Sequence, residues 1–169
     1  MQDKLELQRT FALAGSSGTG KTSLAEMLLY NAGAVNRMGS IDSGNTTLDY
    51  EPEETKKGGS VQPAYALYAW KKNRYFMIDN PGDSNFLGEF PYQLVAADAV
   101  AYVIDAVDGV KPQDKKMWKD VQKAGLPVMA VINKMDRERA NFDQAFSGIS
   151  DILGGKPVLM YMPIGAEAD

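Results

Sequence analysis

At 169 residues, 44% of them hydrophobic and 24% charged, the chain is long enough for one soluble domain with a substantial core. It has neither cysteine nor histidine, which excludes disulfides, thiolate metal sites and the usual imidazole general base. A formal net charge of −4 excludes bulk attraction to nucleic acid. Any RNA contact falls to local clusters (Lys56-Lys57, Lys71-Lys72 with Arg74, Lys115-Lys116 with Lys119), each of which, taken alone, reads as solvated lysine. No apolar run is long enough to span a bilayer and the N-terminus is no signal peptide, so the expectation is a cytoplasmic protein without membrane attachment.

In chain order, residues 1–8 form a polar lead-in, and Thr10-Phe11-Ala12-Leu13-Ala14 reads as a buried strand. The glycine-rich stretch Gly15-Ser16-Ser17-Gly18-Thr19-Gly20-Lys21-Thr22 follows, then a helix to about Ala32 with Leu24, Met27 and Leu28 at helical spacing. Residues 33–60 are rich in Gly, Ser, Asn, Thr and Glu, lack sustained periodicity and read as a long functional loop. Residues 61–70 and 74–78 read as two strands of a hairpin around Lys71-Lys72-Asn73. Asp79-Asn80-Pro81-Gly82 ends the second strand, and a short helix is expected at 90–97. Residues 99–104 are a continuous apolar run typical of a central parallel strand. Pro112 opens a helix that closes at Gly125, 127–132 is another buried strand ending in Asn133-Lys134-Met135-Asp136, and Phe142, Phe146, Ile149 and Leu153 mark an amphipathic helix. A last strand is expected at 157–163. This alternation predicts an α/β fold of the P-loop NTPase kind: a mostly parallel sheet with helices on both faces and one antiparallel strand at the edge.

Three motifs fall at the carboxyl ends of predicted strands, where such sheets bind ligands. The stretch from Gly15 to Thr22 satisfies G-x-x-x-x-G-K-[ST] at every fixed position. Its glycines allow the backbone to approach a phosphate, and its N–H groups, through Ser23 at the helix start, form an anion-binding nest. Lys21 reaches the outer phosphates as a point charge, and the Thr22 hydroxyl suits Mg²⁺. Asp79 suits a carboxylate holding Mg²⁺ through water, while the Gly82 N–H is a donor for a γ-phosphate. In Asn133-Lys134-Met135-Asp136 the Asp136 carboxylate can accept from N1–H and the amine of guanine, which adenine cannot match. Asn133 would tie this loop to the phosphate loop, and the Lys134 stem would cover the base. An ATP-using kinase is disfavoured by this motif.

With these residues the chain resembles the amino-terminal GTPase domain of elongation factor G and its paralogues among the translational GTPases. The carrying stretches are GSSGTGKTSLAEMLLYNAGAVNRMGSIDSGNTTLDYEPEE, DNPGDSNF, NKMDRERANF and PVLMYMPIGAE. The resemblance implies a GTPase that binds GTP and GDP with Mg²⁺, acts on the ribosome (rRNA and ribosomal proteins) and is monomeric. It implies a fifth guanine motif and later domains that residues 1–169 do not show, so the chain is expected to be part of a longer factor. It implies Ser60 as the counterpart of the switch threonine, a hydroxyl that can still bind Mg²⁺. It also implies that Asp83 stands where relatives carry a catalytic histidine, and that Ser17 and Gly59 replace the apolar pair flanking the attacking water. Gly18 replaces an aspartate linked to a monovalent cation. Catalysis is therefore assigned to Lys21, Gly82 and, with these departures, Asp83, and the intrinsic rate is expected to be very low. The alternatives are a GTP-gated binding module with little hydrolysis and a ribosomal-protection relative. Residues 33–60 and 80–91 are expected to order with the γ-phosphate.

Overall fold

A computed structural model describes residues 7–165, so most of the polar lead-in, 1–6, lies outside the described residues. The sheet has five strands in the order β2-β3-β1-β4-β5. They are β1 (Gln8–Ala14), β2 (Ala64–Trp70), β3 (Asn73–Asp79), β4 (Ala99–Asp105) and β5 (Val128–Asn133). β1 runs parallel to β3 and β4, β4 parallel to β5, and β2 is the antiparallel edge strand. Strands buried on both faces need apolar residues at every position, and Val100 to Asp105 of β4 are all buried. The β2–β3 hairpin turns at Lys71-Lys72, with Lys71 at φ 54°, as a two-residue loop demands.

Helices cover both faces. Alternate side chains of β1 and β4 (Ala12, Ala14, Val100, Tyr102, Ile104) pack with α3 (Phe90–Val95), α4 (Asp114–Ala124) and α5 (Phe142–Asp151). The opposite face, with Leu13, Met77 and Ala101, packs against α1 (Lys21–Asn31) and Leu48. α4 ends on Gly125 at φ 68°, and α5 begins where the Asn141 side chain accepts from the Gln144 N–H at 2.9 Å.

The structure departs from the sequence expectations in four places. The run expected as a buried strand at 127–132 is the edge strand β5, paired only with β4, and its Val128, Met129 and Ala130 are exposed. Residues 157–163 form no strand: Val158, Met160, Tyr161 and Met162 are exposed and pair with no sheet edge, and apolar residues alone make no strand without a ladder. Residues 33–60 are not wholly irregular. They contain α2 (Pro52–Lys57), started by Pro52 and by the Glu54 carboxylate accepting from the Glu51 N–H at 3.2 Å. The inner face of α1 is also rotated from the predicted one. Lys21, Thr22, Ala25, Glu26 and Leu29 are buried and Met27 is 41% exposed, because the helix must aim its first-turn Lys21 and Thr22 into the interior.

Candidate functional site

The three motifs meet at the carboxyl edge of the sheet. β1 delivers the phosphate loop, β3 the Asp79 turn and β5 the Asn133 turn. The loop is held from all sides. Asn133 Nδ2 donates to the Thr19 carbonyl at 2.9 Å, and Lys134 Nζ donates to the Gly18 carbonyl at 2.5 Å. The Ser17 N–H donates to the Gly82 carbonyl at 3.0 Å. Gly20, at φ 92°, is the turn into α1, and a Cβ there would strike the Asn133 amide. At Gly82 a Cβ would lie 2.5 Å from both Lys21 Nζ and the Ser17 nitrogen, so this turn packs directly on the phosphate loop.

Lys21 is buried and donates to the Ser16 carbonyl at 3.0 Å. Burial pushes its ammonium down to about 8, against Asp79, Asp114 and Asp49, which hold it up. Thr22 Oγ1 donates to Asp79 Oδ2 at 2.7 Å and lies 3.2 Å from Ser60 Oγ. Burial pushes Asp79 up to about 6, against the Thr22 hydroxyl and the Lys21 charge. Ser60 Oγ donates in turn to Asp49 Oδ1 at 2.7 Å. Asp79 Oδ1 and Asp49 Oδ2 are buried oxygens without a hydrogen-bond partner. An all-oxygen cluster with two such oxygens fits a hard divalent cation, which takes hydroxyls, carboxylate-held waters and phosphate oxygens. Thr22, Ser60 and Asp79, the residues predicted for Mg²⁺, are thus brought together.

The residues predicted to read guanine are arranged as a loop rather than a closed pocket. Lys134, at φ 64°, pairs with Asp105 Oδ2 at 2.8 Å. Burial pushes Asp105 up, but the Lys134 bond and the Val107 and Asp108 N–H groups outweigh it and leave the carboxyl below the usual range. Asp136 and Ser23 stand exposed. Two surface cavities of about 380 and 420 Å³ lie elsewhere, against β2, β3 and the end of α1, and contain none of the motif residues.

The Asp83 carboxylate is bound to Lys57 of α2 and to its own turn. Its Oδ2 pairs with Lys57 Nζ at 2.7 Å, and its Oδ1 accepts from the Asn85 N–H at 3.0 Å, capping a 3-10 turn at Ser84–Glu89. The Lys57 bond, with the Asn85 N–H, holds its carboxyl below the ordinary value.

Sequence reasoning misses three buried carboxylates around the site: Asp49, Glu26 and Asp114. Glu26 accepts from the N–H groups of Gly39, Thr47 and Leu48, Asp49 touches Ser60, and Asp114 holds Ser16. Glu26 and Asp114 lie in predicted helices and Asp49 in the irregular segment, and none belongs to a spaced motif; Glu26 is hidden further because the inner face of α1 is not the predicted one.

Comparison with known proteins agrees with this geometry. Residues 6–162 match the family described as the elongation factor Tu GTP binding domain. Elongation factor G of Fervidobacterium nodosum is 34% identical over 95% of this chain, and that of Thermotoga petrophila 35% identical over 98%. The mitochondrial ribosome-releasing factor 2 of Debaryomyces hansenii is 36% identical over 92%. The chain spans only 23%, 24% and 18% of those three relatives. A crystal structure from Thermus thermophilus superposes with a TM-score of 0.81 at 36% identity, covering 86% of this chain and 22% of that one. The chain therefore belongs to the family of the elongation factor Tu GTP binding domain, and within it is similar to elongation factor G.

Proposed function

We propose that this chain binds GTP and GDP with Mg²⁺ and hydrolyses GTP, as the nucleotide-binding part of an elongation-factor-G-like factor acting on the ribosome. The observation that carries the reading is the 2.9 Å bond from Asn133 to the Thr19 carbonyl, which locks a guanine-reading loop onto a phosphate-binding loop. The phosphates lie in the nest from Gly15 to Ser23, with Lys21 and the Gly82 N–H at the γ-phosphate. Thr22, Ser60 and, through water, Asp79 would hold Mg²⁺, which would supply positive charge against the phosphate oxygens. Water would attack the γ-phosphorus as the bond to the β–γ bridging oxygen breaks, so that GDP leaves and inorganic phosphate forms, with the water's proton passing to phosphate or solvent. Lys21 and the backbone N–H groups would stabilise the developing charge. Asp136 selects the base.

Titration of GDP, ADP and XDP against wild type and Asp136→Asn tests this. Wild type should prefer GDP over ADP by about 10⁴-fold. Asp136→Asn should lose GDP and gain XDP, because its amide turns an acceptor into a donor. Equal binding of ADP and GDP by wild type would sink the assignment.

The second reading, a GTP-gated binding module, draws on the pairing of Asp83 with Lys57 at 2.7 Å in a chain without histidine. GTP turnover with and without ribosomes separates the two. Acceleration by ribosomes supports the hydrolase; nucleotide-dependent ribosome binding without turnover supports the module.

A further inference from the structure

Asp114, at the start of α4, is buried under the phosphate loop and takes no part in the hydrolytic scheme. Its Oδ1 accepts from the Ser16 N–H at 3.0 Å, the Ser16 hydroxyl at 2.7 Å and the Tyr102 hydroxyl at 2.9 Å. Its Oδ2 accepts from the Lys111 N–H at 2.8 Å. Three donors thus converge on Oδ1 and one on Oδ2, which fixes the carboxylate in place. Tyr102 from β4 and Lys111 from the preceding turn fix the carboxylate, and the carboxylate fixes Ser16.

The next peptide shows what that placement controls. The Ser16 carbonyl accepts from Lys21 Nζ and from the Thr19 hydroxyl, each at 3.0 Å. The nitrogen of the same peptide, on Ser17, donates to the Gly82 carbonyl at 3.0 Å. Two of the four hydrogen bonds that compensate this buried carboxylate come from the loop itself, through Ser16, and two from Tyr102 and Lys111, so the loop is tied to β4 and the turn before α4. We infer that Asp114 is a positioning residue of the phosphate site: it sets Ser16 and, through the Ser16–Ser17 peptide, the placement of Lys21 and of the Ser17 donor. This rests on the nucleotide-binding reading above.

The test compares the 169-residue chain with Asp114→Ala, Asp114→Asn, Ser16→Ala and the Asp114→Ala/Ser16→Ala double variant. Amide exchange is followed without nucleotide, and GDP affinity with Mg²⁺. Asp114→Ala should speed exchange at Ser16 and Ser17 about tenfold and weaken GDP about tenfold, the cost of leaving a buried donor unmatched. Asp114→Asn should fall between, since its carbonyl can still accept from Ser16. Ser16→Ala should cost less in the Asp114→Ala background than alone. Two results overturn the inference. One is wild-type exchange at Ser16 and Ser17 with GDP affinity within about twofold in a folded Asp114→Ala. The other is additivity in the cycle, with exchange raised uniformly over β1, β4 and α4, which marks a purely structural role. Should Asp114→Ala fail to fold, Asp114→Asn and Ser16→Ala carry the same comparison with their own double variant. If wild type binds no GDP, the nucleotide reading fails, while the exchange data still decide whether Asp114 sets the loop.

Discussion

Lys57 Nζ lies 2.7 Å from Asp83 Oδ2 and 4.1 Å from the centre of the Phe86 ring, so the Asp83 charge is turned toward α2. An anion facing the γ-phosphate would oppose the charge that grows in the transition state, and this pairing keeps it away. Single-turnover hydrolysis by Asp83→Ala should therefore stay within about fivefold of wild type, since exposed pairs are worth at most about 1 kcal/mol. Abolition of a measurable rate would make Asp83 catalytic. Its pH behaviour has a definite sign. The folded-state value is depressed from 3.8, so the stabilisation is present above 3.8 and is lost only as pH falls through the lower folded value. No step from Asp83 should appear in a rate profile above about pH 4. Gly20 behaves differently. With φ at 92° and no room beside Asn133, Gly20→Ala should cost about 1–3 kcal/mol by urea denaturation and abolish GDP binding.

The segment 33–60 shows how an element can be ordered without periodicity. Glu26 on α1 accepts from Gly39, Thr47 and Leu48, while Glu54 on α2 accepts from Val61 and Gln62. These buried carboxylates fasten irregular backbone that no apolar repeat announces. Glu26→Ala leaves those N–H groups buried without acceptors and should lower stability by roughly 3 kcal/mol or more. Hydrogen exchange should show the loss concentrated at 39–48, and a uniform loss over the whole sheet would contradict it. The central strand, by contrast, was legible, because a buried parallel strand writes itself as an unbroken apolar run, as β4 does, whereas the similar run of β5 lies exposed at the sheet edge. The motifs were legible for a related reason: Gly20, Asn133 and Lys134 are confined by backbone geometry and contact to fixed spacings. Asp49 and Asp114 were not, because a single aspartate carries no spacing and acquires its meaning only from partners far along the chain, as Asp114 does from Ser16.

Across the whole molecule the site belongs to the sheet rather than to any one segment: Asp105 at the end of β4 pairs with Lys134, Asn133 at the end of β5 donates to the Thr19 carbonyl, and Asn80 just after β3 donates to the Leu13 carbonyl of β1. Ligand binding should therefore stabilise the entire fold. At GDP and Mg²⁺ near 100 times Kd the gain is about 2.7 kcal/mol, which for this size raises Tm by roughly 5–10 °C. Removing Mg²⁺ with a chelator should shrink the shift if, as proposed, Thr22, Ser60 and Asp79 share the ion as a common partner. A Tm indifferent to GDP at saturation would refute binding to the folded state. The same scale explains the false strand at 157–163: Val158, Met160 and Tyr161 are apolar enough, but strand formation is decided by the edge a segment meets, which its own residues do not encode.

The bond between the Ser17 N–H and the Gly82 carbonyl sets an entry threshold for the ligand. While that N–H serves Gly82 it cannot serve a phosphate, so a nucleotide that recruits it must first displace a competitor of the protein's own making. With a net worth of about 1 kcal/mol, such an internal rival lowers apparent affinity about fivefold. A phosphate oxygen cannot replace the donor that the Gly82 carbonyl loses, but one placed far enough along to accept from the Gly82 N–H would offset part of that difference, and one that ends short of the turn would not. Chain length of the phosphate is thereby converted into a ratio of populations of one peptide bond's two allegiances.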